Sequence, residues 1–440
     1  MKTMVAILVV VLALPSLAAF SGPLVNAVGS PDWLSYGGDL RLRQKYLDVN
    51  PSKDGEFFFR IRPRAWFAVS PVEEVGAYFR FANEYRYYFL PRGYVHPLRD
   101  EIIIDNAYLD VKKPLDLPVS VRLGRQDLIY GEGFVVMDGG PNDGSRSIYS
   151  DGVKVSIDLD PTAVDLIAVY NRGDQPIAIN EVNDYYQDAQ KIGLYGAYLT
   201  NHSLIKNFPL EAYYLFKDGK ESDYLFKDGK VSDKQLPDNQ IHVVGARLAG
   251  HPVDNLTTVA EGAVQLGDWG DESHRAWGGY AYGTYQIPNC PMKSALTLGY
   301  TYLSGDDPST DRHEGWDPIF SRWPKWSDLY VYTIATEDGP GWWTNMQILR
   351  AAWASQPIDK MTLTLGLNYF LALENPFETT KPTLFAGGST RGLNPVVNLR
   401  YKFNDWLSSQ WLLEYLRPGS YYQNTVNSQV FSRCELMINF

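Results

Sequence analysis

Charged and apolar residues alternate strictly in the first part of the chain, between Asp39 and Tyr88. Two short stretches carry a cation at every second position, a third carries Arg80, Ala82, Glu84 and Arg86 in the same register, and the positions between are mostly apolar. A period of two predicts extended strands whose two faces differ. A packed soluble core cannot hold so many cations, so we expect the charged face to meet water and the other face to meet an apolar phase. The charged positions are Arg41, Arg43, Lys45, Arg60, Arg62, Arg64, Arg80, Glu84 and Arg86.

Similar segments, each about ten residues long, continue to the end of the sequence and are separated by turn residues, which is typical of a transmembrane barrel. Their spacing predicts eighteen strands, an even number. The predicted strands are 33–46, 56–69, 74–89, 101–111, 118–129, 147–158, 162–171, 190–200, 208–217, 239–249, 255–267, 276–287, 294–304, 342–354, 360–372, 394–404, 407–416 and 428–440.

The connections between these strands alternate in length. Short turns that carry Pro, Asn or Asp alternate with long polar connections at 88–100, 129–146, 172–189, 218–238, 305–341 and 373–393. Long loops on one side and short turns on the other are the outer-membrane pattern, in which the long loops face outward and both termini are periplasmic. The predicted fold class is therefore all-β, a single transmembrane antiparallel β-barrel of about 18 strands that follows an N-terminal signal peptide.

The two ends of the sequence support this organisation. Residues 1–19 combine Lys2, an apolar run and small residues before Ala19, which indicates a secretory signal peptide. We expect a short periplasmic segment at 20–32 and the barrel at 33–440. The last predicted strand alternates in character and ends at Phe440. This ending looks like the signal read by the barrel assembly machinery, which we expect to be a partner.

Composition narrows the function further. Aromatic residues make up 14% of the chain, with 30 Tyr and 12 Trp, which suits aromatic girdles at both membrane interfaces. Two cysteines exclude a disulfide framework or a metal cluster built on cysteine. The formal net charge of −11 means that the positive charge is local. We expect no cofactor, no metal and no nucleic-acid partner.

The inward cations point to an anionic solute. Rings of Arg and Lys select anions, and a guanidinium offers carboxylate or phosphate a two-pronged hydrogen bond. By the same alternation, later strands add Arg122, Lys154, Arg247 and Arg400 to the inner wall. An alternative is that these cations pair with inward acids such as Glu84, Asp110, Glu261 and Glu435 and brace the wall. Both can hold at once, because a few surplus arginines suffice to set the field of a narrow pore.

Several motifs carry a resemblance to a known family. These are the arginine-bearing first strands, Leu123-Gly124-Arg125-Gln126-Asp127, Tyr130-Gly131-Glu132-Gly133, and the loop from Ser304-Gly305-Asp306-Asp307 to Gly315-Trp316-Asp317. Together they resemble the alginate export family of outer-membrane barrels. The resemblance implies an eighteen-stranded barrel whose electropositive lumen lets an anionic uronate polymer leave the cell. It also implies that Arg125 belongs to the pore constriction, whereas strict alternation places Arg122, Gly124 and Gln126 inward.

Two loops could narrow or plug the pore. Family exporters can use a long periplasmic turn for this purpose, yet the turns on that side are short in this sequence. An external loop folding inward is then required, and the candidates are Leu90–Leu98 and Phe134–Ser147. The acidic loop from Asp306 to Asp317 could hold a cation such as Ca²⁺, but it matches no known cation-binding spacing, and a solvated acidic loop is the favoured interpretation.

We therefore favour a monomeric outer-membrane channel that exports an acidic, alginate-like polysaccharide, in contact with outer-membrane lipids and with periplasmic export proteins. A general or anion-preferring porin for small solutes is the second hypothesis. A barrel enzyme is the third, and it would need a catalytic cluster at the outer rim. Only His96 and His313 lie on predicted external loops, and neither sits in a catalytic pattern. We expect no enzymatic activity.

Overall fold

A computed structural model describes most of the chain after residue 30. The described residues are 31–48, 55–90, 101–137, 150–171, 178–179, 191–220, 236–321, 325–329 and 343–440. The predicted signal peptide and the segment at 20–30 lie outside these residues, as does nearly all of the first candidate plug. Among the residues described, no helix combines the length and the apolar character needed to cross a membrane.

Eighteen strands form the wall of the barrel in the described part of the chain, which confirms the number predicted from turn spacing. They are β1 (Leu34–Asp48), β2 (Glu56–Val72), β3 (two segments, Val75–Ala82 and Tyr85–Leu90), β4 (Ile102–Lys112), β5 (Val119–Gln126), β6 (Ser150–Asp158), β7 (Thr162–Asn171), β8 (Ile192–Asn201), β9 (Leu210–Gly219), β10 (Asn239–Val253), β11 (Leu256–Trp269), β12 (Glu272–Gln286), β13 (Ala295–Leu303), β14 (Met346–Ser355), β15 (Met361–Leu371), β16 (Thr390–Lys402), β17 (Leu407–Pro418) and β18 (Gln429–Asn439).

Each strand pairs antiparallel with the next one in sequence, and β1 pairs antiparallel with β18. Leu40 lies opposite Ile438 in this closing pair, and Asp48 lies opposite Val430. Closure leaves the sheet without an edge, so that the backbone N–H and C=O groups of every wall strand have partners on both sides. An even strand number is what allows the first and last strands of an up-and-down meander to pair antiparallel.

The two faces of the wall differ as the alternation predicted. Large apolar side chains on the outer face are exposed, for example Val244, Val264, Trp277 and Leu298. The residues between them point into the bore, and many of these are buried by loops that fold inside. The hydrophobic core of this protein therefore lies within the barrel, where inner-wall residues meet the inward loops.

Most strand ends agree with the prediction to within two residues, and the larger differences have local causes. β12 begins at Glu272, four residues early, because a two-residue turn at Gly270 continues the hairpin from β11. Gly270 adopts a φ of 60° there, a left-handed conformation that glycine tolerates. The third strand is interrupted at Asn83 and Glu84, which frees the Glu84 side chain to reach two strands on the inner wall.

The closing seam generates a stability prediction. A Cβ on Gly38 would lie 2.6 Å from the Arg64 carbonyl oxygen and 2.6 Å from the Phe440 ring. We expect Gly38→Ala to destabilise the barrel by about 1–3 kcal/mol, the usual cost of overpacking. The urea midpoint of unfolding in detergent micelles measures this change. Gly262→Ala in β11 is the matched control, since the nearest atom to its added Cβ is 3.8 Å away. Equal midpoints for the two variants would contradict the tight seam.

Candidate functional site in the bore

The predicted cations of β1–β3 form a compact group on the inner wall. Strand register places Arg43 directly opposite Arg60, and Arg60 directly opposite Arg86. Arg41 lies opposite Arg62 in the same way. Like charges directly opposite each other on neighbouring strands repel. This arrangement is therefore stable only if carboxylates lie between the guanidinium groups.

Three carboxylates occupy those positions. Glu84 accepts hydrogen bonds from Arg41 at 3.0 Å and from Arg60 at 2.5 Å. Glu435 of the last strand accepts one from Arg43 at 2.6 Å. The bracing predicted as an alternative role for the arginines is thus present, and it ties β1 and β2 to β3 and β18 through side chains as well as backbone.

Asp39 completes this bracing. It binds two arginines of β2, Arg62 at 3.2 Å and Arg64 at 2.7 Å. Both oxygens of the carboxylate are used, one for each arginine.

The expectation that this face meets water is wrong for its central members. The exposed fractions of Arg41, Arg43 and Arg62 are 0, 1 and 1%. The carboxylates of Glu84, Glu435 and Asp39 lie against them. Arg64 lies nearer the open bore, with 13% of its side chain exposed.

The other predicted site residues are distributed along the inner wall. Arg80 binds Asp105 and Asp127, and Arg122 binds both oxygens of Asp110. Lys154 lies 3.6 Å from Asp165, and Arg247 pairs with Glu211. Arg400 is exposed at the short-turn end of β16. Lys45 is buried, and its ammonium lies 5.6 Å from the centre of the Phe431 ring.

The structure gives Arg122 and Arg125 different positions. Arg122 lies on the inner wall beside Asp110, as alternation predicted. Arg125 is almost completely buried and makes two hydrogen bonds of 2.7 Å to Asp151, its direct partner on β6. Gly124, between them, has a φ of 126° and packs against the carbonyl of Ala107.

Tyrosines and carboxylates dominate the wall opposite the cation group, from β7 to β12. Tyr213 and Tyr280 both donate hydrogen bonds to Glu261, at 3.1 and 2.9 Å. Tyr198 donates to Glu211, and the Tyr198 and Tyr213 rings stack with centres 5.4 Å apart. The inner wall is therefore cationic on one side and carries hydroxyl and carboxylate groups on the other.

Part of the loop between β13 and β14 runs through the bore, and we call its described residues 304–321 and 325–329 the inner strap. On one side of the barrel, Asp317 of the strap pairs with Lys217 of β9 at 2.7 Å, and neither side chain has any exposed surface. On the other side Ser327 donates to Glu414 of β17, and Asp328 pairs with Arg433 of β18 at 3.1 Å. β9 and β18 are opposite one another in an eighteen-strand ring. Asp317 and Ser327 are separated by ten positions in the sequence, and a stretch of that length can extend about 35 Å. This length is comparable with the width of an eighteen-strand barrel.

Residues 127–137, which we call the inner loop, also fold into the bore and pack on the strap. The Phe134 and Trp316 rings stack with centres 5.0 Å apart. Val136 and Phe320 form a parallel β-bridge, and Met137 N donates to the Phe320 carbonyl at 2.9 Å. Only the first four residues of the second candidate plug are described, and they lie inside the barrel as that hypothesis required.

The strap and the tyrosine wall are functional candidates that sequence reasoning missed. A signal for the inner loop was available, because Phe134-Val135-Val136-Met137 is an apolar run in a long connection that should otherwise be polar. The strap carried a similar signal in its tryptophans. Trp316 is buried in the bore, and Trp326 stacks under Arg350, 4.8 Å from the ring centre.

The acidic part of the strap does not converge on one point. Asp307 accepts a hydrogen bond from the Ser309 N–H, Asp306 accepts one from the Glu314 N–H, and Asp317 points into the bore toward Lys217. Partial burial, followed by the charges of nearby Asp307, Glu314 and Asp306, raises the pKa of the Glu374 carboxyl. Within the described residues, no group of three or more His, Cys, Asp or Glu is arranged to hold a metal ion.

Solved structures of outer-membrane barrels share the fold of this chain. The chain resembles OccAB4 of Acinetobacter baumannii (TM-score 0.59, 11% identity, covering 92% of this chain and 98% of that one). It resembles the outer membrane protein OpdK of Pseudomonas aeruginosa (TM-score 0.56, 14% identity, covering 92% and 99%). It also resembles OccK2 of Pseudomonas aeruginosa, solved in complex with glucuronate (TM-score 0.53, 9% identity, covering 94% and 99%).

The closed barrel has the fold of outer-membrane porins, and the fold and the family match together support an outer-membrane channel. The alginate export family model matches residues 33–374, and the chain belongs to that family. No curated protein matches the sequence significantly.

The strap generates a conductance prediction. Removing one partner of a buried ion pair costs about 3–5 kcal/mol, so Asp317→Asn should release this end of the strap from β9. We expect a larger single-channel conductance in a planar bilayer. Asp311→Asn is the matched control, since it removes the same charge from the same loop at a side chain that is 99% exposed. The same rise in both variants would show that charge near the mouth, and not strap release, controls conductance.

Proposed function

We propose that this channel passes an anionic solute, and that the solute is an acidic, alginate-like polysaccharide on its way out of the cell. The observation that carries the proposal is the concentration of cations on the inner wall of β1–β3. Eight cations lie there close together, and five carboxylates make the ion pairs described with them.

Burial of these cations does not remove their influence on the bore. Buried charges are screened by salt less than exposed charges are. At physiological ionic strength the Debye length, beyond which the interaction between exposed charges is largely screened, is about 8 Å. A dense group of cations within the wall therefore still favours anions in the bore. The ion pairs also hold the cationic side chains in fixed positions, so a passing anion does not lose affinity by immobilising them.

Membership of the alginate export family supports a uronate polymer as the solute. The tyrosine wall is covered, with Tyr198, Tyr213 and Tyr280 at most 4% exposed, so the support for this class of ligand comes from the family and from the cation group. The family and fold are those of transport channels, and we propose that the protein has no enzymatic activity.

A porin for small anions is the second candidate, and the inner strap favours it. A segment anchored to opposite walls narrows the bore, and a narrow bore suits a small solute better than a polymer. One structural neighbour, OccK2, was solved with glucuronate, a single uronate. The two candidates share an anionic ligand and differ in its length.

A planar bilayer separates these candidates. Purified protein in a KCl gradient should give a reversal potential that indicates anion selectivity. A long polyuronate added to one side should then block the current, whereas neutral dextran of the same length should block it little. Block by short uronates alone would favour the porin. Cation selectivity would contradict both the polyuronate exporter and the porin for small anions.

A pair of single-charge variants tests the role of the cation group. Arg64→Gln removes one positive charge near the open bore, and Asp39→Asn removes the carboxylate that binds it. We expect Arg64→Gln to lower anion selectivity and Asp39→Asn to raise it, while the double variant returns close to the wild-type reversal potential. Unchanged selectivity in both single variants would mean that the group only braces the wall.

A further inference from the structure

A second cationic cavity lies apart from the β1–β3 group, at the end of the barrel that carries the short turns. Its volume is about 750 Å³, within the range of about 300–1,000 Å³ that is typical of small-ligand sites. It lies against the inner wall of β4–β7 and is bordered by the turns that follow β4, β6 and β8. The long loops are at the opposite end, so this cavity opens toward the periplasmic mouth.

Strand register concentrates charge and hydroxyl groups at this cavity. Arg122 lies directly opposite Lys154, and two residues further along the same strands Ser120 lies opposite Ser156. Two neighbouring cations in this position repel each other unless an anion lies between or beside them.

Arg122 is held firmly, with two hydrogen bonds to Asp110 of 2.7 and 2.8 Å. Its guanidinium carbon lies 4.0 Å from the centre of the Tyr108 ring. This side chain is therefore a rigid part of the cavity wall.

Lys154 is held loosely by comparison. Its ammonium is 3.6 Å from Asp165, beyond hydrogen-bond distance. The same Asp165 oxygen accepts a hydrogen bond of 2.7 Å from Tyr130 of the inner loop. Since an ammonium group has three donors, Lys154 can bind a further carboxylate without breaking a hydrogen bond.

The remaining lining groups indicate which kind of anion fits. Lys112 and Lys113 are exposed at the rim, and among the described residues neither has an ion-pair partner. Asp110, Asp158 and Asp160 provide carboxylates, and Thr162 provides a further hydroxyl. A simple inorganic anion would be repelled by the acids and would leave the hydroxyls unused. A ligand that carries one carboxylate and several hydroxyls would use all three types of group.

We propose that this cavity is a docking subsite for a uronate unit, in which Lys154 binds the sugar carboxylate and the serine and aspartate groups bind its hydroxyls. The inference rests on the proposed function, because an exported polyuronate would meet this mouth first. The subsite would be a defined binding position on the periplasmic side of the inner loop. The cation group of β1–β3, by contrast, attracts anions through its electrostatic field without binding them at one place.

Binding of a mannuronate trimer to the full-length protein in detergent micelles tests the subsite by calorimetry. Loss of one charge-assisted hydrogen bond lowers affinity about tenfold or more, so we expect at least that loss for Lys154→Gln. Lys154→Arg should retain most of the affinity. Lys206→Gln is the matched control, an exposed lysine on the turn after β8 that does not line the cavity, and it should bind as the wild type does.

Two further probes distinguish the class of ligand. Mannotriose, the neutral analogue, should bind much more weakly than the trimer, and inorganic phosphate should not displace the trimer at equal concentration. Equal binding of mannotriose, displacement by phosphate, or unchanged affinity in Lys154→Gln would overturn the subsite. The reversal potential of the same preparations separates the two proposals. If the wild type is anion-selective and Lys154→Gln leaves the affinity for the trimer unchanged, the subsite alone is rejected. If the wild type is cation-selective, the proposed function is rejected.

Discussion

The constraint on which the rest of this structure depends is that backbone polar groups cannot remain unpaired in lipid. Pairing of β1 with β18 satisfies it by removing the edges of the sheet. Once the sheet is closed, strict alternation sends every second side chain into the bore. Charged residues that a membrane would exclude are then accommodated, and the early arginines and the carboxylates of β3 and β18 become neighbours although they are far apart in sequence.

The inner wall shows the bracing that the sequence suggested as one role of its cations. Glu84, Asp39 and Glu435 brace the arginines, which lie close together on neighbouring strands. A wall of this kind has a fixed field that does not depend on mobile side chains. On the opposite side Glu261 is shared by two tyrosines, so the bore differs in chemistry across its width as well as along its length.

The fold was predictable from the sequence because strand period, turn residues and loop lengths are local signals. The strand count and most strand ends follow from them. Which residues share one face of a strand was predictable for the same reason, and the register places Arg41 opposite Arg62. The burial of Arg41 and Arg62 was not predictable, because it depends on carboxylates from other strands, Glu84 and Asp39. The inward folding of the loops likewise depends on long-range contacts such as Trp316 with Phe134 and Lys217 with Asp317. No periodic pattern in a loop reveals that the loop folds back inside the barrel.

The anchoring of the inner strap has a consequence for the order of assembly. Asp328 pairs with Arg433 of β18, the strand that closes the barrel on β1. The strap itself precedes β14, so it is synthesised well before its final partner exists. The strap can therefore form this ion pair only after β18 has been added to the sheet. A barrel interrupted before that step would lack this anchor, which makes the seated strap a marker of a finished molecule.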